Sequence, residues 1–231
     1  MSLFYYDGRL ASCRAMLQKA GGVKAVFPKG MDIFPYLKRN NLCIYIDEGY
    51  LDARLLTPGL GVYEPISYTK GSLLIGEVFW GQEFSLAHYE LTPAVQQMKG
   101  LILPRQNLME RCSHSTELWT KLFQAFKEIS YIHSVNTVLF HVGKGVNRVC
   151  NYLWVYDALS YEHRDVPYIT QEKIAHKTLL SKSQVTRVMN YLRENHIVDT
   201  RYRKIQILDR VRMAEFLSPL CLEPDFIATI Q

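Results

Sequence analysis

The chain lacks paired cysteines. Its five, Cys13, Cys43, Cys112, Cys150 and Cys221, are scattered and form no C-x-x-C pair. That pattern excludes a disulfide framework and reads as buried or incidental thiols in a reducing compartment. An iron–sulfur cluster needs four clustered thiolates, which the N-terminal region does not offer. Long apolar runs are also missing, and the start MSLFYYDGR has no basic segment followed by an apolar one. No membrane partner is therefore expected, and the location is expected to be cytoplasmic. Excess charge is small, +5 in 231 residues with 21% charged and 48% hydrophobic side chains, as in ordinary globular proteins of one or two domains. There is no phosphate-binding glycine loop, no Ser/His/Asp arrangement, no internal repeat and no low-complexity segment. No catalytic residue and no enzyme activity are expected. A cupin-like metalloenzyme stays only as a minor alternative, because a metal cupin needs several His and a carboxylate, and His88 with Glu90 is the only close pair within the roll. No metal ligand set is expected.

Residues 20–112 show short apolar runs broken by Gly, Pro, Asn and Asp, at 23–27, 42–46, 51–56, 73–78 and 84–89. Such spacing predicts many short strands closed into a small barrel or roll. In 42–47, apolar groups fall on both faces, Asp47-Glu48-Gly49 supplies a turn, and Gly71 and Gly76 bracket another strand. The texture changes at Ser113. Residues 116–141 contain neither Gly nor Pro and predict one long helix. Leu118, Leu122, Ala125, Ile129, Ile132, Asn136 and Leu139 recur in steps of four and three, the pattern of a coiled-coil seam with one polar position. Trp119, Phe123, Phe126 and His133 form a second line beside it. One face can pack on the β-domain and the other on a second copy, unless the whole helix is buried within one subunit. Gly143 and Gly145 then mark a hinge. Residues 147–161 predict another helix, with Val149, Tyr152, Leu153, Tyr156 and Leu159 inward, followed by a polar connector at 162–167.

The most informative segment is 169–197, ITQEKIAHKTLLSKSQVTRVMNYLRENHI. Thr170 is a candidate N-cap of a first helix that turns Ile174 and Ala175 inward. Ser181 opens a second helix, and Gln184 three residues on completes a capping box. Val185, Val188, Met189 and Leu192 make its buried stripe, while Lys182, Ser183, Thr186, Arg187 and Asn190 face out. Such a face suits a DNA major groove, although any amphipathic hairpin has a polar side. Residues 197–208 read as a short strand, a tip carrying Arg201, Arg203 and Lys204, and a second strand with Ile205 and Ile207 on one face and Gln206 on the other. The tip cations can hold phosphates without reading sequence. Together these elements predict a winged helix-turn-helix. Residues 161–216 carry 11 Lys and Arg against 7 Asp and Glu, or +4 of the chain's +5, which suits double-stranded DNA as partner.

In this order, a β-roll, a long helix and a winged helix-turn-helix, the chain resembles the Crp/Fnr family (cyclic AMP receptor protein and fumarate–nitrate regulator) of bacterial transcription regulators. The resemblance is carried by ITQEKIA, SKSQVTRVMNYLRENHI and KIQILD, and less specifically by YIDEGYLDARLL, GSLLIGEV and GQEFS. It implies an α+β fold: a cyclic-nucleotide-binding-like β-roll (a double-stranded β-helix) over 1–112, a dimerisation helix over 113–142, and a DNA-binding domain over 143–231. It implies a homodimer on a pseudo-palindromic operator, with RNA polymerase as a further partner. The family's base-reading positions fall on Lys182, Ser183 and Arg187. Lys182 stands where the family often has Arg, and Ser183 where an acidic residue is common. Arg187 matches and is the expected guanine contact. Leu179 stands where many helix-turn-helix proteins place Gly. In the roll, Phe84 precedes Ser85 where cyclic-nucleotide binders have Arg, so cyclic AMP is not expected; a phosphodiester needs a cation or several N–H donors there. Glu77, Phe79, Trp80, Phe84, Ser85 and His88 instead outline a site for an aromatic or apolar small-molecule effector. The alternative is a degenerate roll whose rings are only core and which takes no effector. His88 is the one candidate haem ligand, and haem is not expected as a cofactor.

Overall fold

The computed structural model describes residues 3–6, 8–57, 61–64, 66–75, 88–160, 169–200, 205–223 and 226. By its internal contacts the chain divides into two compact units: Phe4–Leu60 with Glu64–Ile132, and Met1–Leu3, Gly61–Tyr63 and His133–Gln231. The division falls inside the long helix.

In the first unit, two sheets make the roll. One contains β1 (Tyr5–Tyr6), β4 (Leu51–Thr57), β6 (Ser67–Tyr68) and β8 (His88–Pro93). In it β4 runs antiparallel to both β6 and β8, and β1 lies parallel to β6. The other has the order β2 (Val23–Pro28), β9 (Gln97–Pro104), β3 (Leu42–Glu48), β7 (Leu73–Leu74), all antiparallel. As expected from apolar groups on both faces, Cys43, Ile44, Tyr45 and Ile46 are all buried. The register slips between Ile46 and Glu48, a bulge just before the turn at Gly49, whose φ of 97° suits glycine. Gly8 passes so close to Gly71 that a Cβ on Gly8 would sit 1.8 Å from the Gly71 carbonyl carbon, so only glycine fits there.

The roll is less purely β than its sequence texture predicts. Short helices α1 (Arg14–Lys19), α2 (Phe34–Arg39) and α3 (Arg105–Ser113) cover it, and β9 is the strand shared by β2 and β3. Arg14 pairs with Asp47 through two N–H donors, Nη2 lying 2.9 Å from Oδ2, which pins α1 to the end of β3.

The long helix, α4 (Thr116–Phe140), has the predicted extent. Its orientation departs from the seam expectation. Leu118 is fully buried in a cluster with Leu17, Tyr45, Leu101 and Leu108, and Leu122 packs beside it. Ile129, Ile132, Asn136 and Leu139 are likewise buried. The line expected to meet a second copy is thus covered by its own chain, while Trp119 (54% exposed), Phe123 (62%) and Phe126 lie at the surface. Both lines are apolar at helical spacing, and only the fit of the branched Leu and Ile side chains into the chain's own core separates them. Asn136 sits in this buried line because its amide donates to the Leu3 carbonyl (3.1 Å).

In the second unit, α5 (Gly145–Ser160), α6 (Gln171–Thr178) and α7 (Lys182–Glu194) pack together, and β10 (Val198–Asp199) pairs antiparallel with β11 (Gln206–Ile207). Asn151, fully buried on α5, donates to the Leu139 carbonyl and accepts from the Ser218 amide, both at 2.8 Å. It ties the last turn of α4 to α5 and to the start of α9 (Pro219–Leu222), which follows α8 (Arg210–Ala214). Val149, Tyr152 and Leu153 are buried as expected and Tyr156 half-buried; the side chain of Leu159 lies outside the described residues.

Leu118→Ala should destabilise the chain by roughly 2–5 kcal/mol, the range for emptying a fully buried leucine site. Denaturant melts of purified protein measure it directly.

Candidate nucleic-acid interface

Local chemistry fixes where each helix of the pair begins. The Thr170 hydroxyl accepts from the Lys173 amide (3.1 Å), satisfying one donor at the start of α6. At α7 the Ser181 hydroxyl accepts from the Gln184 amide (3.2 Å), and Gln184 Oε1 accepts from the Ser181 amide (2.8 Å): the capping box read from the sequence is present. Behind these caps, Ile174, Ala175, Val185, Met189 and Leu192 are buried and Val188 is half-buried.

The turn between the helices runs through Leu179 at φ 51°, ψ 41°, the left-handed region expected of the position where related motifs place Gly. Its side chain is exposed, so nothing in the packing requires leucine. Two neighbours over-determine the turn. The Thr178 hydroxyl donates to the Ile174 carbonyl (2.6 Å), and Arg148 on α5 donates to the Thr178 carbonyl (3.3 Å) and, through Nε, to the Gly143 carbonyl (3.0 Å). These donors satisfy carbonyls that the helix ends leave open.

The exposed side chains on the first turns of α7 are Ser181, Lys182, Ser183, Gln184, Arg187 and Asn190. The side chains of Arg187 and Lys182 are exposed and make no hydrogen bond or ion pair among the described residues. Ser183 lies with its hydroxyl 2.9 Å from that of Ser181. Thr186 is different: it is half-buried, and its hydroxyl reaches Gln171 Oε1 (2.8 Å) and the Lys182 carbonyl (2.9 Å). Its hydroxyl locks α6 against α7 rather than standing free as a donor to DNA. Asn190 accepts from Arg193, which also reaches the Met189 carbonyl (3.3 Å). In the wing, Ile207 is buried, Ile205 half-buried and Gln206 exposed, as the alternation predicts. The expected phosphate clamps Arg201, Arg203 and Lys204 lie outside the described residues.

Sequence reasoning missed the support beneath this surface. Lys177 of α6 is buried, and its carbonyl accepts from the His141 ring (3.1 Å), which also packs T-shaped against Tyr63, with ring centroids 4.8 Å apart. Burial, with the Lys177 charge adding to it, holds His133 below the ordinary histidine range. Burial chiefly, and then the charges of Arg148 and Lys177, hold His141 below it too, against the raising effect of its hydrogen bond. Both rings thus favour the neutral form beside a buried ammonium. Near the wing, Arg210 pairs with Asp157 and lies 5.0 Å from the Trp154 ring centroid; burial raises the Asp157 carboxyl above its usual range. The signals for these contacts were single polar residues inside apolar helices, and their partners lie tens of residues away.

Of the residues expected at an effector site, His88 is described: it is exposed and opens β8. Glu77, Phe79, Trp80, Phe84 and Ser85 lie outside the described residues.

A capped helix pair carrying a solvent-facing arginine, followed by a β-wing, defines the class: a winged helix-turn-helix protein. Residues 147–216 match the family model described as the Crp-like helix-turn-helix domain. No curated protein matches the chain by sequence. Among solved structures, the chain is similar to a transcriptional regulator of the Crp/Fnr family from Eubacterium rectale, 14% identical over 90% of this chain and 94% of that one, with a TM-score of 0.64. It is similar to CprK in complex with OCPA, 14% identical over 93% and 98% of the two chains, TM-score 0.67. It is also similar to the c-di-GMP responsive regulator CLP of Xanthomonas campestris, 13% identical over 86% and 99%, TM-score 0.65. The chain thus has the Crp/Fnr fold, a β-rich cyclic-nucleotide-binding-like domain, helices and a C-terminal Crp-type helix-turn-helix. No helix among the described residues is long and apolar enough to cross a membrane.

Leu179→Gly should stabilise the protein by roughly 0.5–1 kcal/mol, because relief of left-handed strain exceeds the added chain entropy of glycine. Urea melts measure the gain, and DNA affinity should be unchanged because Leu179 is not on the reading face.

Proposed function

We propose that this chain is a homodimeric, sequence-specific regulator that reads a pseudo-palindromic operator with α7, in the major groove of each half-site. The observation that carries the reading is the unclaimed Arg187 guanidinium on the outer face of a helix whose start is fixed by a complete capping box. Its planar fork suits the two acceptors of guanine, while Lys182 offers a single ammonium, and Ser183 gives no carboxylate to accept from cytosine. The operator should therefore differ from one read by an arginine–glutamate pair. Arg201, Arg203 and Lys204 would hold phosphates beside the groove, and Thr170 and Ser181 would stand near the backbone at the helix starts. The domain limits proposed are 1–112, 113–142 and 143–231. Contact with RNA polymerase, and a cytoplasmic setting, belong to the same reading.

The dimer surface proposed is the exposed line of α4, anchored by Trp119 and Phe123, and not the buried line of Leu118. Large aromatic side chains that stay in water on a long helix favour a self-complementary contact, and pairing about a two-fold axis sets the half-sites about 34 Å apart. In the roll, Phe84 in place of an arginine supports a small effector other than a cyclic nucleotide. The neighbours named for OCPA and for c-di-GMP have the same fold, so the fold itself leaves the ligand open. Such an effector acts only through unequal affinity for two states of the dimer. An effector-free regulator with a degenerate roll is the second reading, and it predicts one footprint with or without cell metabolites.

Selection on random DNA identifies the operator. Arg187→Ala should then cost about 1–3 kcal/mol of discrimination at one base pair per half-site and leave salt-sensitive nonspecific binding in place. Retained operator choice would remove α7 as the reader. Phe123→Asp should shift the protein to monomer in sedimentation with its melting temperature nearly kept; an unshifted dimer would rule out this face.

A further inference from the structure

The loop before α2 meets the first residues of β8 in a way the sequence does not announce. Asp32 Oδ1 accepts from the amides of Phe34 (3.1 Å) and Leu91 (3.0 Å), which fixes this carboxylate against the strand. The neighbouring backbone follows the same edge, Ile33 donating to the Leu91 carbonyl (2.9 Å) and Gly30 to the Pro93 carbonyl (3.1 Å). On β8, His88 and Glu90 stand two residues apart and so share a face. One donor atom from each of Asp32, His88 and Glu90 lies within 4.8 Å of the other two. Neither the His88 ring nor the Glu90 carboxylate has a hydrogen-bond partner among the described residues. Arg54, across the ladder from Glu90, is engaged by Glu64 at 2.7 Å.

We propose that Asp32, His88 and Glu90 form a binding site for a divalent first-row transition-metal ion. The donor set decides the class. Two carboxylate oxygens with one imidazole nitrogen suit zinc and its neighbours, whereas magnesium and calcium take oxygen alone. Ligands bound at about 2.0–2.2 Å lie roughly 3.0–3.5 Å apart, so the three atoms must close by an ångström or so. Asp32 is the fixed ligand, oriented by its two amide donors as outer partners orient ligands in metal sites. His88 is exposed and Glu90 half-exposed, so their side chains supply the movement. Three protein ligands leave open positions for water, which makes the ion exchangeable and gives it the role of tying the loop to the strand. The cysteines do not compete: all five are buried, and burial pushes Cys43, Cys150 and Cys221 up to about 12, far from the thiolate that binds metal. This site goes beyond the DNA-binding reading and stands or falls separately from it.

The test is calorimetric titration of chelator-treated, full-length protein with zinc chloride and, separately, magnesium chloride. One zinc per chain is expected, with little heat from magnesium. His88→Ala and Glu90→Gln should each weaken zinc binding at least ~10-fold. Asp32→Asn should do the same while keeping an oxygen for the Phe34 and Leu91 amides, and circular dichroism melts check that each variant folds. Absence of zinc binding, equal binding of magnesium, or folded variants that bind zinc as tightly as the parent would overturn the proposal. Operator binding by the parent protein in the presence of chelator, measured beside the titration, separates this outcome from any failure of the DNA-binding assignment.

Discussion

The turn from Thr178 to Ser181 is the constraint on which the output half of the molecule depends. The direction of α7 is set by five residues, each acting on a different part of the turn. Leu179 accepts a left-handed backbone, Thr178 closes the end of α6 through its hydroxyl, Arg148 covers the freed carbonyl from α5, and Ser181 with Gln184 starts the next helix. Left-handed strain in a leucine costs on the order of 1 kcal/mol, and it persists because these hydrogen bonds fix the backbone on both sides. The result is an exposed α7 face on which the Arg187 side chain has no hydrogen bond or ion pair among the described residues.

The same economy of polar contacts runs down the helices behind it. Asn151 satisfies the last turn of α4 and the amide of Ser218 at once, and Asn136 satisfies the Leu3 carbonyl within an otherwise apolar line. Buried amides of this kind add little net free energy when paired but are costly when orphaned, so they select one arrangement among several apolar ones. His141, neutral and bonded to the carbonyl of buried Lys177, extends that arrangement to α6. Rearrangement of the end of α4 would have to break these bonds together.

What was legible in the sequence had local causes. The extent of α4 follows from a stretch free of Gly and Pro; the starts of α6 and α7 follow from Thr170 and from the Ser181–Gln184 pair, and the wing from alternation around Ile205 and Ile207. The positive φ of Leu179 followed from the position it occupies in the motif. Short α1, α2 and α3 were not legible, since helices of six to nine residues carry too few turns to stand out among strand-like runs. Thr186 looked like a reading residue because its position faces out, but its hydroxyl is claimed by Gln171 on another helix.

The sequence by itself determined the order of elements and the capped helix pair, because caps, periodicity and turn residues act over three or four positions. Only the tertiary structure decided which of two apolar lines on α4 faces the core, because Leu118 and Trp119 differ by 100° on the helix and not in hydrophobicity. It also decided that Asp32 meets His88 and Glu90, since a loop 56 residues upstream reaches β8 only through the hydrogen bonds of the folded sheet edge. Local rules place residues on faces, and long-range packing decides what each face meets.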